Sequence, residues 1–293
     1  MNCPRPALVM TCPDSYEISY AINPWMDPAA WRRDGAEGLA TARRQWAALA
    51  DRLRELGMAI EVVPAAPGLP DLVFPANAAI VLDRRALLAR FRHPERRGEE
   101  ACFLRFFEDL KAKGHLDLVT PMPEGVFQEG AGDCLWDDAR QLFWAGWGPR
   151  SSRASLPVIE GFFGRPVVGV ELVTERFYHL DTCFSVLSGG EILYFPGALS
   201  AHAQGEVAAR VPPESRIEAS AEEAASFGLN AVNIGRDLVM AAAPPRLKAI
   251  LEERGYRCWP VALSAFILSG GASFCMTLRL DRVSAIARRD AAV

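Results

Sequence analysis

The chain has 293 residues, of which 50% are hydrophobic, and its 32 basic and 36 acidic residues give a net charge of −4. This balance leaves no basic field for nucleic acid. The sequence contains neither a run of about 18 apolar residues nor a signal-like N-terminus, so we expect neither a membrane segment nor export. Seven scattered cysteines without a Cys-x-x-Cys pair disfavour a disulfide framework and predict a reducing, cytoplasmic location.

Helices that end at a glycine recur along the chain, and each is followed by an apolar run. The first predicted helix covers residues 39–56, because Trp46 and its leucines recur at helical spacing, and Gly57 ends it as a C-terminal cap. Gly114 and Gly255 end two later helices in the same way. Four runs that follow such glycines are typical of β-strands: residues 59–63, 115–119, 166–170 and 257–261.

A polar or nucleophilic residue follows each of these units. The five residues are Asn77, Glu129, His179, Asn230 and Cys275, at intervals of 52, 50, 51 and 45 residues. Such a period is typical of propellers and other arrays of one supersecondary unit. We therefore predict a single domain over residues 1–293, built as one ring of modules. We expect each polar residue to end an apolar strand and to face a shared centre.

Cys275 is the candidate nucleophile of the chain. It follows the pair Gly270 and Gly271, which allows a backbone turn and the close approach of a ligand. A thiolate is the reactive form of cysteine. The alternative is a buried cysteine that packs as a small hydrophobe.

His179 begins the string His-Leu-Asp-Thr-Cys. Alternation along a strand would turn His179, Asp181 and Cys183 to one face, where the histidine could exchange protons beside a fixed carboxylate. One alternative is a structural histidine. Another is a metal site formed by the same three side chains, but no second histidine or cysteine stands at a usual ligand spacing. We therefore expect no metal, and we expect no cofactor.

Glu129 and Asp133 flank the flexible turn Glu-Gly-Ala-Gly-Asp. The turn does not fit a phosphate loop, because no Lys-Ser or Lys-Thr follows it and acids repel phosphate. Two carboxylates suit a cation, and a guanidinium binds carboxylates through its rigid fork of donors. The alternative is an ordinary loop with a solvated acid.

Together these strings resemble the guanidine-modifying amidinotransferase (pentein) superfamily, which includes arginine deiminases, dimethylarginine dimethylaminohydrolases and arginine dihydrolases. The Glu-Gly-Ala-Gly-Asp, His-Leu-Asp-Thr and Ser-Gly-Gly-x-x-x-Cys strings occur in the order that this superfamily uses, and they cover most of the chain. The resemblance implies an α/β fold, a five-bladed propeller of ββαβ modules with pseudo-fivefold symmetry. It also implies catalysis by Cys275, His179 and Glu129 through a covalent thiouronium.

Two further strings, Ile-Asn-Pro-Trp-Met around Asn23 and Phe-Pro-Ala-Asn ending at Asn77, are most similar to the dihydrolase branch. The acidic turn is one residue longer than in deiminases, so either Glu129 or Asp133 could be the leading acid. Pro75 and Ala79 stand where dihydrolases carry threonine and glycine. The resemblance implies that Arg150 holds the substrate carboxylate. The other implied substrate contacts are Asn23, Asn77, Arg96, Asp133, Asp181, Gly270 and Gly271.

The activity that this resemblance favours is the hydrolysis of arginine to ornithine, carbon dioxide and two ammonia. A dimethylarginine dimethylaminohydrolase, an arginine deiminase and an amidinotransferase are alternatives within the superfamily. A non-catalytic propeller that binds a macromolecule is the alternative from another class. The expected partner is a small guanidino compound, either arginine or a methylated arginine. A homo-oligomer is compatible with the sequence.

Overall fold

The computed structural model describes residues 7–290, which form a mixed α/β fold. The strands are β1 (Ala7–Thr11), β2 (Ala59–Val63), β3 (Ala79–Leu82), β4 (Arg85–Leu88), β5 (Leu118–Pro121), β6 (Cys134–Asp137), β7 (Leu142–Trp147), β8 (Val167–Glu171), β9 (Phe184–Val186), β10 (Ile192–Tyr194), β11 (Arg216–Glu218), β12 (Val232–Ile234), β13 (Asp237–Met240), β14 (Arg257–Pro260) and β15 (Leu278–Arg279). The helices are α1 (Pro28–Glu55), α2 (Gly98–Ala112), α3 (Ser155–Phe163), α4 (Ala201–Arg210), α5 (Ala221–Ala225), α6 (Pro245–Glu253), α7 (Ser264–Ile267) and α8 (Ala285–Asp290).

The strands form three-stranded sheets that share one pattern of pairing. Four sheets use consecutive strands, in the orders β3-β4-β5, β6-β7-β8, β9-β10-β11 and β12-β13-β14. In each, the first two strands are antiparallel and the third runs parallel to the second. A parallel pair requires a crossover, and α2, α3, α4 and α6 lie in these crossovers. Each sheet with its helix is therefore a ββαβ unit.

The fifth sheet joins the two ends of the described chain. Its order is β15-β1-β2, with β15 antiparallel to β1 and β1 parallel to β2. The crossover from β1 to β2 contains α1. The last strand thus completes the sheet that the first strand begins.

The three helices predicted above correspond to α1, α2 and α6, and only the start of α1 differs from the prediction. This helix begins at Pro28 instead of residue 39, because the Asp27 carboxylate accepts the N–H groups of Ala29 and Ala30 as an N-cap. Gly35, with a φ of 44°, interrupts it. Leu49 and Leu53 are fully buried against β1, and each such side chain contributes about 2 kcal/mol. No helix within residues 7–290 is long and apolar enough to cross a bilayer.

The strands differ from the prediction in two respects. The second predicted strand, 115–119, begins later, at Leu118, because the His115 N–H still donates to the Leu110 carbonyl at the end of α2. The prediction that a polar residue ends each apolar strand is wrong. Each polar residue instead lies in or beside a short turn before the first strand of a sheet, as Asn77 does before β3 and His179 before β9. These turns satisfy their backbone N–H groups locally, and the interval of about 50 residues still places the polar residues equivalently.

Candidate active site

A cavity of about 250 Å³ brings together side chains from all parts of the chain. Seven of the predicted site residues line it: Asn23, Asn77, Arg96, Arg150, His179, Gly271 and Cys275. The remaining four, Glu129, Asp133, Asp181 and Gly270, do not line it. The thiol and the imidazole therefore face one space, as the module spacing predicts, whereas none of the three predicted acids lines it.

The turns before the strands pack on one another and set this arrangement. Gly130 begins the 130–132 turn with a φ of 63°. A Cβ at Gly130 would overlap the backbone of Ala76 and Asn77. Only glycine permits both this conformation and this contact, so the acidic turn can lie directly against the turn that carries Asn77.

Cys275 is held by two polar neighbours and is only 3% exposed. The Asn230 amide donates to its Sγ over 3.1 Å, while the Asn230 Oδ1 accepts the N–H groups of Phe274 and Cys275. The thiol lies 3.1 Å from the Asp181 Oδ2. Burial, and then the Asp181 carboxylate, raise the pKa of Cys275 well above its usual value. The sulfur is therefore a protonated thiol at neutral pH.

His179 is paired with Glu129 behind the cavity wall. The His179 Nε2 lies 2.7 Å from the Glu129 Oε2, and the Arg150 Nη1 lies 3.1 Å from the same oxygen. Burial opposes ionisation of Glu129, but the Arg150 cation and the His179 ring outweigh it and hold the pKa of this carboxyl well below its usual value. Glu129 is therefore an ionised acceptor that favours a proton on the His179 Nε2.

Asp133 makes different contacts from Glu129. Its Oδ1 accepts the Leu180 N–H over 2.9 Å, and its Oδ2 accepts the Ser151 hydroxyl over 2.5 Å. Burial raises the pKa of Asp133 to about 6. Asp133 thus anchors the turn after His179, and Glu129 is the acid that contacts the imidazole.

The predicted alternation of His179, Asp181 and Cys183 on one strand face is wrong. Residues 180–182 form a 3-10 turn, since the Thr182 N–H donates to the His179 carbonyl. Cys183 packs in an apolar cluster away from the cavity. Asp181 lies behind the Cys275 sulfur, burial raises its pKa to about 7, and its Oδ1 has no hydrogen-bond partner within residues 7–290. Asp181 therefore contacts the Cys275 sulfur without lining this cavity itself.

Arg96 and Arg150 are both buried and both already paired. Arg96 donates to the two Glu99 oxygens over 2.8 Å and to the Asn77 Oδ1 over 2.9 Å. Arg150 donates to Glu129 and to the Ile22 carbonyl, and it stacks over Tyr178 with 4.5 Å to the ring centroid. Arg96 fixes the orientation of the Asn77 amide. The Arg150 guanidinium lies beside the cavity with some N–H groups not used by Glu129 and Ile22.

The sequence analysis missed Asp71, which lines the cavity and is 3% exposed. Its Oδ2 accepts the Tyr20 hydroxyl over 3.0 Å, and its Oδ1 has no hydrogen-bond partner in the described part of the chain. Burial raises the pKa of Asp71, and Arg96 opposes this shift. The available signal was an acid in the apolar string Leu-Pro-Asp-Leu-Val, shortly before Asn77. A buried carboxylate oxygen without a partner is suited to a cationic ligand.

The segment that carries Asn23 lines part of the cavity. The Asn23 amide donates to the Ser269 carbonyl over 3.0 Å, and the Trp25 indole donates to the Arg176 carbonyl over 3.0 Å. Gly270 adopts a φ of 82°, and its carbonyl accepts the Tyr178 hydroxyl over 2.8 Å. The glycine pair therefore shapes the wall beside Cys275.

The site combines a buried cysteine, a histidine paired with an ionised glutamate, and a buried acid at the cavity. This set is expected of the guanidine-modifying proteins of the pentein superfamily. Comparison with known proteins agrees. The family described as eukaryotic N,N dimethylarginine dimethylhydrolase matches residues 21–282. The chain is 35% identical over 271 residues to the N(G),N(G)-dimethylarginine dimethylaminohydrolase of Mycobacterium tuberculosis, covering 92% of this chain and 84% of that protein. The chain therefore belongs to the dimethylarginine dimethylaminohydrolase family.

A second group of relatives is larger than this chain. The bifunctional arginine dihydrolase/ornithine cyclodeaminase ArgZ of Synechocystis sp. is 39% identical over 273 residues, which cover 93% of this chain and only 37% of ArgZ. The crystal structure of the N-terminal domain of ArgZ, a substrate-bound mutant of an arginine dihydrolase, superposes with a TM-score of 0.89 at 38% identity and covers 95% of this chain and 99% of that one. The chain thus spans about a third of ArgZ.

Proposed function

We propose that this protein is a cysteine-dependent hydrolase that attacks the guanidino carbon of arginine, and that it acts as an arginine dihydrolase. The observation that carries the proposal is one cavity faced by the Cys275 thiol, the His179 ring and the Asp71 carboxylate. The likeness to the dihydrolase domain of ArgZ over nearly the whole chain supports this choice of substrate.

The guanidinium of arginine would bind between Asp71 and Cys275. The unpartnered Asp71 Oδ1 would accept one of its N–H groups, which places a cation beside the thiol. Arg150, which is fixed by Glu129 and the Ile22 carbonyl, would hold the substrate carboxylate with its remaining donors. Arg96 acts through Asn77, because its donors are already engaged.

The first hydrolysis begins with deprotonation of Cys275. Burial keeps the thiol protonated in the free protein, and the bound cation stabilises the thiolate as the proton passes to His179. The sulfur bonds to the guanidino carbon, the imidazolium protonates the departing ammonia, and a thiouronium remains. Water then attacks and gives its proton to His179, and the C–S bond breaks to release citrulline.

The second hydrolysis follows the same course on citrulline. The thiolate attacks the ureido carbon, ammonia leaves, and water cleaves the resulting thiocarbamate to a carbamate that loses carbon dioxide to give ornithine. The Asn77 amide is neutral and is held by Arg96, so the cavity can retain the uncharged intermediate. Two waters are consumed, and two ammonia are released.

Product stoichiometry tests this proposal. We expect two ammonia and one ornithine for each arginine consumed, and none with Cys275→Ser. One ammonia with accumulating citrulline would identify an arginine deiminase instead.

A dimethylarginine dimethylaminohydrolase is the second candidate, because the family match and the Mycobacterium tuberculosis relative favour it. The same cysteine, histidine and acid would expel dimethylamine from dimethylarginine. Release of dimethylamine at a higher kcat/KM than that of ammonia from arginine would favour this activity over the first.

We also propose that the five sheets are the five blades of an α/β propeller and that residues 1–293 form one domain. The shared strand pattern and the pairing of β15 with β1 support a closed ring. We propose a cytoplasmic location, for which the free thiols of Cys12, Cys102, Cys134, Cys183, Cys258 and Cys275 are the support.

A further inference from the structure

A second and larger cavity lies behind the first. Its volume is about 760 Å³, and most of its wall is apolar, including Trp136, Phe184 and Phe274. Asp181 lines this second cavity, whereas Cys275, whose sulfur is 3.1 Å from Asp181, lines the first. The two spaces are therefore distinct, and the chemistry proposed above makes no use of the second one.

Two arginines line the second cavity, and they differ in how they are paired. Arg279 donates to both Asp281 oxygens over 2.6 Å and to the Asn233 carbonyl over 2.8 Å. Arg282 has no carboxylate within 4.0 Å of its guanidinium and makes no side-chain hydrogen bond within residues 7–290. The cavity thus holds one guanidinium in a direct ion pair and one guanidinium without an ion-pair partner within 4.0 Å.

The backbone around Arg282 is fixed. The Asp83 N–H donates to the Arg282 carbonyl over 3.0 Å. The Asp83 carboxylate accepts the N–H and the hydroxyl of Ser284 over 2.6 and 2.7 Å. Arg282 is therefore held at the cavity wall on an anchored segment.

An isolated guanidinium against apolar walls is costly unless an anion or water satisfies it. Arg282 is half-buried. This desolvation, and then the nearby Arg279, lower the pKa of Arg282 to about 10, although Asp281 and Asp138 oppose the shift. The side chain therefore stays charged at neutral pH.

We propose that the second cavity binds a small planar monoanion, a carboxylate or bicarbonate, on Arg282. The guanidinium fork matches two coplanar oxygens, and the Ser185 hydroxyl, which also lines the cavity, supplies a further donor. A single guanidinium without a direct ion-pair partner, in a cavity that also holds the Asp181 carboxyl, favours a ligand with one negative charge. Sulfate and phosphate dianions are disfavoured for the same reason.

Calorimetric titration of the full chain with sodium acetate, and separately with sodium bicarbonate, tests this site, with sodium chloride added to hold the ionic strength constant. We expect saturable 1:1 binding in the millimolar range, and Arg282→Gln should weaken it by about tenfold or more. Arg105→Gln removes the same charge from an exposed position, and it should bind like the wild type. Tighter binding of acetate would identify a carboxylate site, and tighter binding of bicarbonate an inorganic carbon site.

Arg282→Lys keeps the charge and loses the fork, so it should fold and bind several-fold more weakly. Arginine turnover and the circular dichroism spectrum report whether each variant is folded. Repeating the titration in Cys275→Ser separates this site from the proposed hydrolysis, because the anion should still bind there. The proposal is overturned if the wild type shows no saturable heat, or if folded Arg282→Gln and Arg282→Lys bind as tightly as the wild type.

Discussion

Two buried arginine–glutamate pairs, Arg96–Glu99 and Arg150–Glu129, lie beside the same cavity, and their glutamates differ in what else they contact. Arg96 places two donors on the two oxygens of Glu99, each over 2.8 Å, so this carboxylate is occupied by one cation. Glu129 instead shares its Oε2 between Arg150 and His179. Both acids are 0% exposed. The first pair fixes the Asn77 amide, and the second holds the His179 imidazole at the cavity wall.

This difference shows why residue type alone does not assign a function to a buried ion pair. Breaking either pair leaves a buried guanidinium without compensation, which destabilises the fold. Only the Glu129 pair also touches a group that moves protons in the proposed reaction. Substitution of either glutamate should therefore lower the free energy of unfolding by a similar amount, but only substitution of Glu129 should strongly lower kcat.

The largest expected effect is on turnover in Glu129→Gln. The amide cannot stabilise the His179 imidazolium, so kcat should fall by about 100-fold to 10,000-fold. Steady-state ammonia release measures this loss. A kcat within about tenfold of the wild type in a folded protein would remove the catalytic role of this pair.

Glu99→Gln should mainly affect stability. The Arg96 charge loses its counter-ion, and the free energy of unfolding should fall by about 3–5 kcal/mol in urea denaturation. We expect kcat to stay within about tenfold of the wild type, because no proton passes through Glu99. If kcat falls as far as it does in Glu129→Gln, Glu99 contributes to catalysis as much as Glu129 does.

Asp181 differs from Glu99 and Glu129, because it is a buried acid without a cationic partner in the described part of the chain. Its pKa is raised from 3.8 to about 7 by burial, so the folded state binds a proton more tightly than the unfolded state. The wild type should lose stability as the pH rises from about 4 to 7, and Asp181→Asn should lose less, because Asp133, whose pKa is also raised, remains in both proteins. At pH 8 the variant should be more stable by about 2–4 kcal/mol, with little difference below pH 4. Urea denaturation at both pH values measures this; equal pH dependence in the two proteins would contradict it.

Asp71 is the buried acid that should bind the guanidinium of the substrate. Asp71→Asn should raise KM for arginine by about tenfold to 100-fold, since a charge-assisted hydrogen bond is lost. The effect should be weaker for citrulline, which is neutral. An equal change for both substrates would show that Asp71 acts on the fold and not on the guanidinium.

The repeat in the sequence predicted that polar residues about 50 positions apart would occupy equivalent places, and it located several helices and strands. The interval from Asn77 to Cys275 reports the module length, and apolar periodicity located β2 and α6. The sequence could not show that His179 precedes a 3-10 turn, because alternation in His-Leu-Asp-Thr-Cys looks the same in a strand and in such a turn. Asp71 was missed for a related reason. Its importance depends on one oxygen left without a partner after folding, and no local pattern records that.

The central claim is that Cys275 is a thiol activated by a cation in the cavity. Mass spectrometry after treatment with 2-chloroacetamidine, a cation, or with its neutral isostere 2-chloroacetamide tests this most directly at pH 7.5. We predict a single adduct on Cys275 with the cationic reagent, formed at least about tenfold faster than with the neutral one, because a nearby cation offsets the raised pKa of this thiol. Equal rates for the two reagents, or an adduct on another cysteine, would contradict the account.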